Sequence, residues 1–207
     1  MNAPTASFLD DDLARRLLEQ RTILLGTELD QTLSNRLTTA LLMLAADDEK
    51  TPISIWINSV GGSVPGMLAI RDAMRLIPNT VATVNLGMAY SAGQFLLSAG
   101  TPGHRYLLPH SKVLLHQGSA GFGGTAGDIA IQAETLRDNR DTVLGLISAD
   151  TGQPVETVEK DSRRDRWFNA DEAIAYGFAD HVVESLAQIR PAPQRSLGLG
   201  LRPAVSA

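Results

Sequence analysis

Proton transfer near neutral pH calls for an imidazole, and this chain has four histidines and no cysteine. His104 lies in TPGHR and His110 follows Pro109, so both read as solvated loop residues. His181 begins the last apolar run and reads as structural. His116 ends the run VLL, just ahead of a glycine-rich stretch. An imidazole at the carboxyl end of a strand, facing a loop that lets other backbone approach, is placed for general base work. Among the hydroxyls, Ser91 in GMAYSAG stands where a β-rich run gives way to a helix. Such a junction offers free N–H groups and the positive end of the helix dipole. Ala89, Ala92 and Gly93 leave room for a substrate carbonyl. Serine is equally at home there as an N-cap, and Ala89 departs from the G-x-S-x-G pattern of a nucleophile elbow.

The carboxylate partner stays open at this level. EKDSRRDRWF offers Glu159, Asp161 and Asp165. On a continued helix Asp161 and Asp165 would share a face, so spacing does not separate them. The same segment also reads as a solvated charge run with Arg163, Arg164 and Arg166. Lys112 is four residues from His116 on one extended segment, which leaves a Ser-Lys dyad open beside its reading as an exposed strand residue. Gly61 and Gly62 follow an apolar strand. They could form a plain turn or expose an N–H to an oxyanion.

Other chemistries lack their signatures. The absence of cysteine excludes a thiol nucleophile, a disulfide framework and thiolate metal sites. There is no G-x-x-x-x-G-K-[ST] for a P-loop and no G-x-G-x-x-G after a strand. No H-E-x-x-H or carboxylate cluster suggests a metal, and no cofactor is expected.

The elements that must position these groups alternate. The 207 residues fit one domain, 43% hydrophobic and 20% charged. Short apolar or β-branched runs at 22–25, 52–58, 80–86, 106–108, 112–115 and 180–183 read as strands. Helical spacing occurs at 30–46, 64–76, 91–99, 128–150, 154–162 and 170–176. Such alternation predicts an α/β fold with a mainly parallel sheet, whose functional residues gather at the carboxyl ends of strands. The segment 128–150 is out of proportion, about 35 Å if fully helical. A helix of that length is expected to project and bury its stripe on a neighbouring subunit.

Charge narrows the partners. The net charge of −5 comes from 18 basic and 23 acidic residues. Residues 189–207 hold three arginines and no acid, which leaves −8 on the body. That balance argues against nucleic acid. No run approaches the roughly 18 apolar residues of a membrane span. The first twelve residues lack the basic and apolar regions of a signal peptide. A cytoplasmic location is expected. The Pro-, Gly- and Ala-rich tail at 189–207 reads as disordered.

Four segments together resemble a known family. INSVGGSV at 57–64, GMAYSAGQFLLSAG at 87–100, LPHSKVLLHQ at 108–117 and TGQPVETVEKDSRRDRWFNADEAIAYGFAD at 151–180 are similar, in order, to the proteolytic subunit of the Clp protease, ClpP. The match runs from about Arg21 to Val183. It implies a serine peptidase in which Ser91 is the nucleophile, His116 the general base and Asp165 the orienting acid. It implies an oxyanion hole from the N–H groups of Gly62 and Ala92, and peptide binding along Gly62, Ser63, Val64, Gln117 and Gly118. It also implies a crotonase-like ββα superhelix, with a protruding strand-plus-long-helix handle at about 118–150 within a peptidase domain spanning 21–188. Residues 1–20 would form an N-terminal segment. The implied partners are a hexameric AAA+ unfoldase and further copies in stacked heptameric rings. Departures fall at Val60 and Gly118, where the family usually has proline, at Tyr90 and Ala92 beside the nucleophile, at Ser54 where an aromatic is usual, and in the short N-terminal segment. None touches the triad, and together they point to a paralogue working beside a second ClpP-type subunit.

Overall fold

The computed structural model describes residues 6–118, 121 and 123–189. Its centre is a seven-stranded sheet. Helix α1 (Ala6–Glu19) leads into β1 (Thr22–Leu25), which is joined through α2 (Gln31–Asp47) to β2 (Ile53–Ser59) and through α3 (Val64–Leu76) to β3 (Val81–Tyr90). β1, β2 and β3 lie parallel in that order. Strand β2 shows why: Ile53, Ile55, Ile57 and Ser59 are buried while Ser54, Trp56 and Asn58 are only half-buried, the period of two that a two-faced strand requires. Leu37, Leu41 and Leu44 of α2 and Met67, Ile70 and Met74 of α3 belong to the main core with the inward isoleucines. Helix α2 starts on Asp30, whose carboxylate accepts from Leu33 N at 2.7 Å, and α3 starts on Ser63, whose hydroxyl accepts from Gly66 N at 3.1 Å.

Past β3 come α4 (Ala92–Ser98), β4 (Arg105–Leu107) and β5 (Lys112–Leu115). β3 continues four residues beyond the run expected at 80–86. It serves two neighbours in succession: Thr83–Asn85 pairs with β4, and Met88–Tyr90 pairs with β5. The bend between them is held by side chains. Asn85 Oδ1 accepts from Gly87 N at 3.0 Å, its Nδ2 donates to Lys112 O at 2.9 Å, and Asn58 Oδ1 accepts from Met88 N at 3.1 Å. A glycine-containing stretch that reads as a strand end is thus paired after all, and its last residue is Tyr90.

Helix α5 (Ala126–Thr151) has 26 residues, about 39 Å at 1.5 Å rise per residue. Thr125 and Asp128 form a capping box, and Gly152 ends the helix in the left-handed region at φ 76°. Only Leu144 and Ile147 of α5 are buried, whereas Ile129, Ile131 and Leu136 are exposed. The first half therefore reaches beyond the subunit's own core. Among the described residues no strand lies between β5 and α5; the strand half of the expected handle falls there, partly on residues outside those described. Helix α6 (Val155–Ser162), β6 (Arg166–Phe168), α7 (Ala170–Tyr176) and β7 (His181–Val182) follow, with a short 3-10 turn at Leu186–Gln188. β6 is antiparallel to β5, and β7 is parallel to β4. Neither α1 nor β6 is anticipated by the periodicity; β6 is three residues long, too short to show one.

Arg105 fastens the far side. Its guanidinium meets the Asp180 carboxylate at 2.9 and 2.5 Å and donates to the carbonyls of Asp150 and Gly177 at 2.8 and 2.9 Å. That ties β4 to the ends of α5 and α7. Burial alone would raise the Asp180 carboxyl. Hydrogen bonds from Arg105 and from Gly103 N outweigh it and hold the group below its ordinary value. Ile189, the first residue of the expected tail, is buried in a second small cluster with Ala82, Val84, Tyr106 and Val183. The rest of the tail, 190–207, lies outside the described residues, as do residues 1–5.

Candidate active site

Ser91 sits between β3 and α4 with φ 53° and ψ −113°. A positive φ is uncommon for a residue with a Cβ and costs on the order of 1–3 kcal/mol. The chain on both sides holds it there. Ser91 N donates to Leu114 O at 3.0 Å, and Ser91 O accepts from Phe95 N at 2.9 Å. Every residue of α4 is buried, so the junction is fixed from behind. Ser91 occupies the N-cap position, yet its side chain makes no capping hydrogen bond. The hydroxyl is therefore not committed to the helix it precedes.

The loop after β2 supplies the other wall. Gly61 has φ 109°, and a Cβ there would lie 2.7 Å from Ser91 Cβ. Gly62 has φ 141°, and a Cβ there would lie 2.3 Å from Leu29 O. Leu29 N donates to Gly61 O and Ser63 N to Leu29 O, both at 2.7 Å, which pins this loop as a one-residue parallel bridge. Both glycines are thus required by close approach rather than by a plain turn. Gly62 is exposed while Gly61 is buried. Among the described residues neither the Gly62 N–H nor the first-turn N–H of Ala92 donates to another group of the chain.

His116 follows β5 by one residue, and the register explains what it meets. Val113 pairs with Phe168, Leu114 with Trp167 and Leu115 with Arg166. One more step of that antiparallel ladder sets His116 across from Asp165. The imidazole Nδ1 lies 3.4 Å from Asp165 Oδ1, with His116 34% and Asp165 62% exposed. Helix α6 ends at Ser162, so Asp161 and Asp165 do not share a helix face. Asp161 turns to Tyr176 and Arg166 instead. Lys112 is exposed at the opposite end of β5 from His116. Among the described residues no hydrogen bond joins Ser91 Oγ to His116.

Ser63 and Val64 begin α3, half-buried. Gln117 N donates to Ser162 O at 2.7 Å, and Gly118 is exposed with open space where a Cβ would be. His110 is exposed, as is His181, which stacks on the Tyr106 ring with centroids 5.8 Å apart. His104 Nδ1 is 3.4 Å from the Tyr106 hydroxyl. Residue-by-residue reading gave no sign of one further contact. Tyr90, beside Ser91, meets Trp167, two residues after Asp165, edge to face at 4.9 Å. The β3–β5–β6 register, invisible in sequence, brings them together. No cluster of His, Cys, Asp or Glu suited to a metal occurs among the described residues, and no described helix is long and apolar enough to cross a membrane.

The molecule is thus an α/β chain that sets an imidazole against a carboxylate where β5 meets β6, with Ser91 at the end of the neighbouring strand β3. Residues 7–186 match the family model described as Clp protease. The chain is 52% identical to the ATP-dependent Clp protease proteolytic subunit 3 of Streptomyces coelicolor, over 94% of this chain and 90% of that protein. It is 49% identical to proteolytic subunit 2 of Rhodococcus jostii, covering 91% and 97% of the two chains. It is 53% identical to proteolytic subunit 3 of the same organism, covering 87% and 90%. The chain belongs to the Clp protease family.

Proposed function

We propose that this chain is a serine endopeptidase subunit of a self-compartmentalised, ATP-dependent Clp protease, cleaving unfolded polypeptides and short peptides inside a ring chamber. His116 takes the Ser91 proton as the hydroxyl attacks the peptide carbonyl, then returns it to the leaving amine. Asp165 holds the imidazole in the required tautomer and stabilises the imidazolium. The N–H groups of Gly62 and Ala92 receive the oxyanion, a donor typically worth about 10²–10³ in rate. The peptide lies as an added strand along Gly62, Ser63 and Val64 on one side and Gln117 and Gly118 on the other. The observation that carries this reading is the Asp165–His116 contact in ladder register, beside a serine held at positive φ with its hydroxyl uncommitted.

In the same reading the fold is the crotonase-like ββα superhelix, and the exposed half of α5 stacks two heptameric rings. The unfoldase is a separate AAA+ hexamer, because the chain has no P-loop of its own. It docks on the outer sheet face, where Leu24 is 40% exposed. A second ClpP-type subunit completes the assembly. Rhodococcus jostii has two numbered proteolytic subunits that both resemble this chain, which supports such pairing.

One observation favours a second reading, a ring subunit that supports a partner and cleaves little: Ser91 and His116 are not hydrogen-bonded here. Mixing decides between them. The isolated subunit is expected to show weak or no peptidase activity. Activity should rise on adding a second ClpP-type subunit and fall in part when only this chain carries Ser91→Ala. No fall would make this chain a scaffold.

A further inference from the structure

The Asp165–His116 contact faces water, and a charge contact so exposed does little to order the loop that makes it. The order has to come from behind. Helix α6 ends at Ser162 and β6 begins at Arg166, so Asp165 is the last residue of a short connection. Asp161, in the last turn of α6, is only 14% exposed. Its carboxylate pairs with the Arg166 guanidinium and accepts a hydrogen bond from the Tyr176 hydroxyl at 3.1 Å. Arg166 in turn lies over the rings of Phe168 and Tyr176, at 4.9 and 5.4 Å. Burial, then the Asp161 charge, raises the Tyr176 phenol well above its ordinary value, so it stays protonated and keeps donating. The two ends of the connection are therefore fastened to each other and to a packed aromatic group, with Asp165 between them.

We propose that Asp161, acting through Arg166 and Tyr176, is a positioning residue that holds Asp165 opposite His116. This rests on the reading in which Asp165 orients the imidazole. Asp161 touches neither His116 nor Ser91, so it acts on geometry alone. Groups that orient a catalytic residue must hold it to within a fraction of an ångström, and a shift of about 1 Å can cost about 10² in rate.

The test uses the full chain in its most active assembly. Any companion subunit carries alanine at its own nucleophile, so that only this chain cleaves. Asp161→Asn is expected to lower kcat about tenfold with KM changed less than about twofold. Asp161→Glu should recover part of the loss, because it restores the charge facing Arg166. Tyr176→Phe keeps the ring, removes one hydroxyl, and should give a smaller loss of the same kind. The deciding arm is a double-mutant cycle. Once Asp165→Asn is in place, Asp161→Asn should cost nothing further, because the carboxylate it positions is gone. A merely structural role would make the two losses multiply in full, and that result overturns the proposal. So does full kcat in both Asp161→Asn and Tyr176→Phe. If Asp165→Asn itself left cleavage whole, the assignment of the acid would fail and this proposal with it. If Asp165→Asn abolished cleavage while Asp161→Asn left kcat whole, only the positioning role would fall.

Discussion

The two halves of the candidate site are built in different ways. The nucleophile half is embedded: Ser91 is anchored through its backbone to β5 and α4, α4 is wholly buried, and Gly61 and Gly62 are pressed against Ser91 and Leu29. The base-and-acid half is marginal: His116 and Asp165 are partly to largely exposed, on loops beside a strand that, among the described residues, pairs only with β5. Packing density fixes the first half within one subunit, since a close-packed core transmits any shift. The second half depends on ion pairs, an aromatic contact and whatever a neighbour adds. A site divided in this way can be chemically complete and still need assembly to become competent.

The largest effects should come from removing the chemistry in either half. Ser91→Ala and His116→Ala are each expected to lower peptide cleavage by about 10⁴ or more and to leave native mass unchanged, because the proposed triad would act as a unit. If Lys112→Ala removed activity while His116→Ala did not, the dyad would be the correct arrangement.

Gly61→Ala tests the rigidity of the embedded half without touching a reacting group. A Cβ 2.7 Å from Ser91 Cβ, on a backbone at φ 109°, forces either the serine or the loop to move. Cleavage should fall about 10²-fold or more, measured with a fluorogenic peptide.

The long helix divides along the same line. Val143 packs on the main core, so Val143→Asp buries an unpaired charge and should lower the melting temperature and the folded yield. Leu136 is 37% exposed, so Leu136→Asp should leave subunit stability within about 0.5 kcal/mol and split the assembly, read by native mass. Unchanged mass in Leu136→Asp would remove the exposed half of α5 from the interface.

The smallest effect on cleavage is expected at the Arg105–Asp180 fastening, far from both halves. Because the folded carboxyl lies below its ordinary value, it adds stability above the ordinary carboxylate range, and that stability is lost as pH falls through the folded value. Asp180→Asn should lower stability at pH 7 and flatten the acid limb of the melting-temperature profile. An acid limb as steep as the wild type's would mean that other carboxylates set it.

The embedded half was the more legible in sequence. Helix 64–76 stands where periodicity puts it, because it has a clear apolar face and Pro78 follows it, and strand 112–115 stands out as a short continuous apolar run buried on both faces. Ser91 was visible as a junction residue, although its positive φ was not. The marginal half was obscure because its geometry is non-local. Asp161 and Asp165 look equivalent on an extrapolated helix; only the end of α6 at Ser162 and the antiparallel β5–β6 ladder separate them. Helix α1 shows no clean two-faced pattern, because its described surface mixes charged pairs such as Arg16–Asp12 with exposed Leu13 and Leu18. Resemblance to the Clp protease family singles out Asp165 as the acid, and the ladder register sets Asp165 opposite His116.

The most direct test of the central claim is covalent labelling of the full assembly with a fluorophosphonate, followed by peptide mass mapping. The account predicts a single adduct on Ser91 of this chain, lost in Ser91→Ala and slowed at least about 10³-fold in His116→Ala. An adduct elsewhere, or labelling of Ser91 at full rate without His116, would contradict it.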